Sequence, residues 1–371
     1  MNILYLCGKD IDSSSGVVQK VFEQVGAWKE LGEGGAVISL KTLKLYRFDG
    51  TFLKSYGGNI QRRHGSGSKI ARQLCTLRTI WQNSFFLERI IKELSPDIIY
   101  MRYFLWTPFL LRSLKSAPYV VEINSDEKME FFLRSKITGL YNYLTRNFLL
   151  SRAAGLVCVT EELAEKFKSF GLPTSVIGNG IQVKDYPFSL APHNKRPKLF
   201  FIGSPGQNWH GLEKIEFLSK KLHEFEFHII GVKKEGRANL FYHGYLPFSD
   251  AVRIVARADV GISTLSLHYK HMNEACPLKS RQYFAQGLPI IMGYKDVDIS
   301  QNLPFILKLP NKPSNVEEGL DKIVRFVRRV FNDSEIRSKA REFAIKYLDV
   351  EVKEKSRVNF LYKICEASCE Y

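Results

Sequence analysis

The 371-residue chain has no apolar run of the ~18 to 20 residues that a membrane-spanning helix needs. Its longest candidate, Tyr103 to Leu111, is about half that and is flanked by Arg102 and Arg112. The start, MNILYLCGKD, shows no basic n-region, long apolar core or small-residue cleavage site, so no signal peptide is expected. The six cysteines (Cys7, Cys75, Cys158, Cys276, Cys365, Cys369) form no CxxC pair and no Cys/His spacing. Their scatter fits a reduced, cytoplasmic protein without structural metal. Cys365 and Cys369 fall four apart on a predicted helix, but two thiols do not complete a zinc site. The chain also lacks the dinucleotide fingerprint GxGxxG and the Walker spacing. Acid is missing from Thr51 to Leu87, where Lys54, Arg62, Arg63, Lys69, Arg72 and Arg78 accumulate with His64. Residues 51–150 hold 15 Lys/Arg against 7 Asp/Glu, a surplus of +8 within a net charge of +16. Such a patch suits nucleic acid, an anionic membrane or phosphorylated small molecules; a solvated basic face is the plain alternative.

What is present is a soluble composition, 45% hydrophobic and 25% charged, at a length that favours two domains. NILYLC reads as a strand, GKDIDSSSG as a loop and VVQKVFEQVGAWKEL as an amphipathic helix. GGAVISL, PDIIYM, PYVVEI, GLVCVT and TSVIG are further strands, and the spacing predicts one long helix over Lys128–Ser151. LAPHNKRPK, residues 190–198, is the linker candidate. The alternation then restarts with LFFIGS, FEFHIIG, LFYHG, DVGIST and PIIMGY, and the end from Asp333 is helical. Two α/β units in tandem, each with a parallel doubly wound sheet, are expected, with ligand at the carboxyl ends of the strands in a cleft.

Several loops then become candidate sites. Gly8–Gly16 precedes a helix start, where backbone N–H groups and the helix dipole favour an anion; a plain turn with a serine cap is as good a reading. GNG at 178–180 reads as a tight turn. GSPGQNWHG, residues 203–211, supplies backbone donors and His210. In NEACPLKSRQYFAQGLPII, residues 273–291, Glu274 precedes a helix that Pro277 suits at its first turn. Lys279 and Arg281 offer cations near that helix start, and Gln282 offers an amide to hydroxyls. The alternative is a helix with a solvated polar face.

These segments resemble those of retaining GT-B glycosyltransferases of the family 4 type. SVIGNGIQVKDY is similar to V-I-P-N-G-V-D, FIGSPGQNWHGLEKI to F-x-G-S…W-x-G, and residues 273–291 to E-x-x-P-x-K-x-x-E-Y-x-A-x-G-x-P-V-V. The resemblance implies two Rossmann-like domains facing a cleft: an acceptor domain over 1–185, a nucleotide-sugar domain over 186–345, and a carboxyl-terminal helix, 346–371, crossing back to the first. It implies catalytic roles for Glu274, on the donor sugar hydroxyls, and for Lys279, near the diphosphate, with His210 where many members have Arg or Lys. Donor contacts fall to Gly16, Gly203, Ser204, Tyr245, Leu246, Arg281 and Gln282. Gln282 stands where the family has a second glutamate. The acceptor side falls to Arg102, Tyr103, Glu122, Asn124 and Asp126, with Arg102 and Tyr103 in place of the usual histidine. The basic patch Arg62, Arg63, Lys69 and Arg72, with the helix from Lys128, is expected to meet anionic lipid on the inner membrane face.

The activity so implied is metal-independent hexosyl transfer, with retention, from a UDP- or GDP-linked sugar to a glycan or lipid-linked acceptor in surface polysaccharide synthesis. No cofactor, no metal ligands and no nucleic acid are expected. Rival readings are a nucleotide-sugar epimerase of the same fold, a nucleic-acid-binding module suggested by the charge, and a non-catalytic scaffold suggested by Gln282. Donor-only incubation, a salt-sensitive gel shift and Gln282→Glu, in that order, separate them from the transferase.

Overall fold

The structure is a computed structural model that describes residues 1–13, 16–57, 69–188, 194–299 and 302–369. It divides into two compact units, Met1–Ile177 with Glu354–Tyr371, and Gly178–Lys353. The first contains β1 (Asn2–Cys7), α1 (Gly16–Glu30), β2 (Gly34–Ser39), β3 (Lys44–Arg47), β4 (Phe52–Ser55), α2 (Lys69–Leu94), β5 (Ile98–Arg102), α3 (Pro108–Ser113), β6 (Tyr119–Ile123), α4 (Glu127–Arg134), α5 (Lys136–Leu150), β7 (Gly155–Cys158), α6 (Glu161–Phe167) and β8 (Thr174–Val176). The strands form one sheet in the order β4-β3-β2-β1-β5-β6-β7-β8.

β1 is central, with Leu4 opposite Ala36 on one side and Ile99 on the other. Its residues alternate between two covered faces, which is why NILYLC is apolar throughout. On one face Ile3, Tyr5 and Cys7 meet Val18, Val21, Val25 and Trp28, the helically spaced side of α1. The sheet departs from the expected all-parallel form at one edge, where β2, β3 and β4 pair antiparallel. β4 is exposed along its length and carries Lys54, a charge of the kind that protects a free strand edge. The expected single helix over 128–151 is two helices, broken at Ser135, whose backbone is extended (φ −167°, ψ 136°). Gly139 permits the fold-back of α4 on α5: a Cβ there would lie 2.4 Å from the Phe132 ring.

The second unit contains β9 (Lys198–Ile202), α7 (Leu212–Lys221), β10 (Glu226–Ile230), β11 (Leu240–Gly244), α8 (Phe248–Val255), β12 (Val260–Ile262), α9 (Leu278–Ala285), β13 (Ile290–Met292), β14 (Ile306–Lys308), α10 (Asn315–Glu318), α11 (Leu320–Phe331) and α12 (Ile336–Phe343). Its sheet is parallel throughout, in the order β11-β10-β9-β12-β13-β14. The chain joins this unit at Gly178, before the expected boundary at 185, because Asn179 and Ile181 already bond within it. Asn179 Nδ2 donates to the Cys276 carbonyl at 2.6 Å, and the Ile181 amide donates to Leu348 at 3.0 Å. Part of the expected linker, 189–193, lies outside the described residues.

The last helix, α13 (Val350–Cys369), returns the chain to the first unit from Glu354 onward. Val358, Leu361 and Ile364 join the core beneath α1, and Trp28 Nε1 donates to Glu354 Oε2 at 2.8 Å. Among the described residues no helix is long and apolar enough to cross a membrane.

Candidate active site

The second unit gathers unusual polar groups around the end of β9 and the first turns of α9. β9 runs out at Ile202 into Gly203, a turn of 3-10 helix at Asn208–His210, Gly211 and then α7. Gly211 has φ 76°, and a Cβ there would sit 2.8 Å from Ser266 Oγ, so conformation and space both require glycine. Gly203 makes room for rings: a Cβ would lie 2.5 Å from Phe201 Cζ and 2.7 Å from His210 Nδ1. The His210 ring stands edge-on to Phe201, with centroids 5.5 Å apart.

Helix α9 is pinned from its inner face. Tyr283 is fully buried and its hydroxyl accepts from the Ile202 amide at 2.9 Å, tying α9 to the end of β9. Ser280, Ser263 and Tyr294 share hydroxyl hydrogen bonds of 2.5–2.9 Å beneath it. Lys279 and Gln282, three residues apart, share the other, half-buried side. Glu274 lies upstream, where its backbone bridges to Lys295.

Lys279 is the electrostatic anomaly. Its Nζ is buried and has no hydrogen-bond partner, and it stands 4.1 Å above the Phe201 ring centroid. Burial drives its pKa well below the usual lysine value. Lys214 shows the contrast: its buried Nζ donates to Leu265, Lys312 and Asn315 at 2.7–3.0 Å, so its bonding is complete. Gln282 Nε2 and Gln207 Oε1 are likewise buried without partners. Buried polar groups are normally hydrogen-bonded, so two orphans together with one uncompensated cation describe a site prepared for a polar anion.

His210 does not supply the second cation expected of it. Burial, with the nearby Lys279 and Lys270 charges, pushes its pKa down to about 3, against a weaker pull from a hydrogen bond with the Ser204 backbone. It is neutral at pH 7. His228 is pushed to about 4 by burial and by His243, whose Nε2 is 3.0 Å from His228 Nδ1. Both shifts are downward, so the unfolded chain binds protons more tightly below pH ~6.5, and stability is lost as pH falls from there toward 4. The melting temperature is expected to drop by several degrees between pH 6.5 and 5, a loss on the order of 2 kcal/mol. His210→Gln is expected to flatten that slope in a pH series of thermal melts.

Arg281 is not available to a donor either. It is wholly buried, pairs with Asp296 and Asp298, and donates from Nε to the Asn179 carbonyl at 3.1 Å. It faces inward because the helix turns it away from Lys279 and Gln282. Of the remaining donor candidates, Gly203 is packed under His210, Ser204 and Tyr245 are exposed, and Leu246 is half-buried after β11. Gly16 opens α1 in the first unit with nothing within 4 Å of a built Cβ.

The acceptor candidates in the first unit are mostly engaged in structure. Glu122 is fully buried in β6, paired with Lys20 and bonded by Tyr100 Oη at 2.7 Å and Asn124 Nδ2 at 2.7 Å. Burial alone would raise its pKa, but Lys20 and Arg357 hold it well below the usual carboxylate range. Asp126 caps α4 by accepting from the Met129 amide at 3.2 Å and pairs with Lys166 at 2.9 Å. Tyr103 Oη donates to Asn142 Oδ1 at 2.5 Å. Arg102, half-buried at the end of β5, is the acceptor candidate whose charge the fold leaves least engaged. Glu122 and Asp126 are thus supports of the fold, not open contact groups. Arg62 and Arg63 lie outside the described residues, and at Lys69 and Arg72, in the first turn of α2, only the backbone is described.

Sequence reasoning passed over the Asp296–Asp298 pair, although two aspartates one residue apart were the signal. With Cys276 their ligand atoms lie within 4.8 Å of one another. Arg281 and Lys353 already pair with these carboxylates, and burial raises the Cys276 thiol to about 12, so the cluster is charge-balanced without an ion.

Residues 49–185 match the family model Glycosyltransferase Family 4. The whole chain is similar in structure to a glycosyltransferase from Rickettsia africae (TM-score 0.66, 15% identity, 98% of each chain covered). It is also similar to sucrose-phosphate synthase from Thermosynechococcus elongatus (TM-score 0.70, 12% identity, 99% of each chain). A third similar structure is Anabaena HepE in complex with UDP and glucose (TM-score 0.60, 12% identity, 98% of this chain and all of that one). No curated protein matches in sequence. The fold is that of the GT-B glycosyltransferases, and the match to the family 4 model falls within the first unit and the start of the second.

Proposed function

We propose that the protein transfers a hexose, with retention of configuration and without a metal, from a UDP- or GDP-linked sugar to a glycan or lipid-linked acceptor in bacterial surface polysaccharide synthesis. The observation that carries this reading is Lys279, a buried and uncompensated cation on the same helix side as Gln282 and downstream of Glu274. A departing nucleoside diphosphate is the ligand whose charge matches it. Anabaena HepE, of the same fold, binds UDP.

In this reading Glu274 holds the donor sugar hydroxyls, Gln282 bonds the ribose and Lys279 meets the diphosphate. The bond between the anomeric carbon and the phosphate oxygen breaks as negative charge grows on the leaving group. A preorganised cation in a water-poor site lowers that barrier. The acceptor hydroxyl attacks from the face that the diphosphate leaves, and its proton passes to the leaving phosphate oxygen. Neither a carboxylate nucleophile nor a metal is required. Screening UDP- and GDP-sugars by thermal shift, with and without chelator, tests the reading. The true donor is expected to stabilise the fold by about 2.7 kcal/mol at a hundredfold excess over Kd. Chelator is expected to change neither that shift nor turnover; loss of turnover in EDTA would overturn metal independence.

Membrane contact is part of the proposal. Its support is the exposed apolar row Ile137, Leu140, Leu144 and Phe148 on α5, in a region rich in Lys and Arg. Such a face suits an anionic lipid surface. In flotation assays the protein is expected to rise with vesicles containing anionic phospholipid and not with neutral ones. Leu140→Glu with Leu144→Glu is expected to abolish this. Equal recovery with both kinds of vesicle, or none with either, would refute it.

A further inference from the structure

Arg281 lies between Lys279 and Gln282 in sequence but serves a different purpose. One terminal nitrogen of its guanidinium pairs with Asp296, and the other reaches Asp296 Oδ1 at 2.9 Å and pairs with Asp298. Asp298 also pairs with Lys353, the last residue of the second unit. The Asn179 amide donates to Cys276 Sγ at 2.9 Å, and Arg281 Nε bonds the Asn179 carbonyl. Gly178 has no room for a side chain, since a Cβ would lie 2.3 Å from Asp298 Oδ2. Two cations and two carboxylates are therefore locked together, and both ends of the unit's chain are held in the lock.

Those ends are also bonded to each other. Ile181 and Asp349 form a parallel bridge, the Val350 amide donates to Ile181 at 3.0 Å, and the Val183 amide donates to Asp349 Oδ2 at 3.2 Å. Residues 178–183 and 348–353, by which the chain comes into and leaves the second unit, thus share one buried network with the loop that carries Glu274 and the helix that carries Lys279.

We propose that Arg281, Asp298 and Lys353 are positioning residues: they hold the start of α9 in register with segments 178–183 and 348–353. Nucleotide bound at Lys279 then tightens those segments, and loosening them weakens the nucleotide. The proposal rests on the reading of α9's open side as the nucleotide site. Its physical basis is that a buried carboxylate cannot leave its cation cheaply. The start of α9 therefore cannot move without the two chain segments, and coupling of this kind acts equally in both directions.

Hydrogen exchange on the full chain, with UDP and GDP as probes, tests it. In the wild type, bound nucleotide is expected to slow exchange over 274–282 and, about tenfold, at the Ile181 and Val350 amides. Lys353→Met is expected to raise the nucleotide Kd about tenfold. At saturation it keeps protection over 274–282 and loses it at Ile181 and Val350. Lys353→Arg is expected to restore both. Should Lys353→Met fail to fold, Asp298→Asn, which keeps the size and removes one charge, carries the same test. A variant that melts earlier but binds as the wild type does, with unchanged protection at Ile181 and Val350, would show the cluster to be structural only and overturn the proposal. Protection by neither nucleotide over 274–282 in the wild type would instead refute the nucleotide site itself, and the positioning role with it.

Discussion

Lys279→Met is expected to reduce sugar transfer by about a hundred- to a thousandfold while leaving the protein folded and more resistant to heat. The first half follows from charge. His210 is neutral and Arg281 is neutralised by Asp296 and Asp298, so of the three groups expected to meet a departing diphosphate Lys279 is the one left to do so. Removing one preorganised electrostatic donor from such a site costs about 3–4 kcal/mol of barrier. The second half follows from burial. Lys279 Nζ makes no hydrogen bond that the substitution would break, and its desolvation is a standing cost to the empty fold. Methionine keeps the length of the side chain and its contact with Phe201 while removing that cost. A rise of a few degrees in melting temperature, with activity lost, is the pattern of a residue kept for function at the expense of stability. Activity retained in Lys279→Met would remove the basis of the proposed mechanism.

Nucleotide affinity is expected to fall as pH rises through the lowered titration range of Lys279. In the empty site burial lowers the Lys279 pKa well below its ordinary value, so the neutral amine gains population as pH rises through that lowered range. A bound diphosphate favours the ammonium form and pulls the pKa back up. Binding therefore takes up a proton wherever the pH lies between the free and bound values, and affinity falls there by up to tenfold per pH unit. Calorimetric titrations of UDP and GDP in buffers of different ionisation enthalpy read the proton directly. Lys279→Arg, whose guanidinium stays protonated, is expected to bind with little pH dependence.

The architecture was readable because its signals are local. Six-residue apolar strands such as NILYLC must be covered on both faces, and α1 repeats apolar residues at helical spacing, so alternating α/β units follow. The β3–β4 edge hairpin was missed because KLYR and FLKS are four residues each and FLKS is exposed throughout. The break at Ser135 was missed because it depends on Gly139 admitting the Phe132 ring, a contact between helices rather than a local preference.

Glu274, Lys279 and Gln282 stood out in the sequence before and along a predicted helix, and α9 puts Lys279 and Gln282 on one side. Arg281 was misread because sequence shows a cation but not the carboxylates opposite it, and Asp296 and Asp298 are fifteen and seventeen residues away. Glu122 and Asp126 were misread for the same reason: their partners, Lys20 and Lys166, come from other elements. The charge state of His210 was beyond sequence altogether, since it depends on how deeply Gly203 and Phe201 let the ring sink.

The most direct test is titration calorimetry of UDP and GDP into the wild type and Lys279→Met at pH 7 and pH 9. The wild type is expected to bind one of the two more weakly at pH 9 than at pH 7, with a proton taken up over the range where the affinity falls. Lys279→Met is expected to bind weakly at both pH values with no proton taken up. Equal affinity of wild type and Lys279→Met, unchanged by pH, would contradict the claim that this buried lysine is the charge that receives the nucleotide.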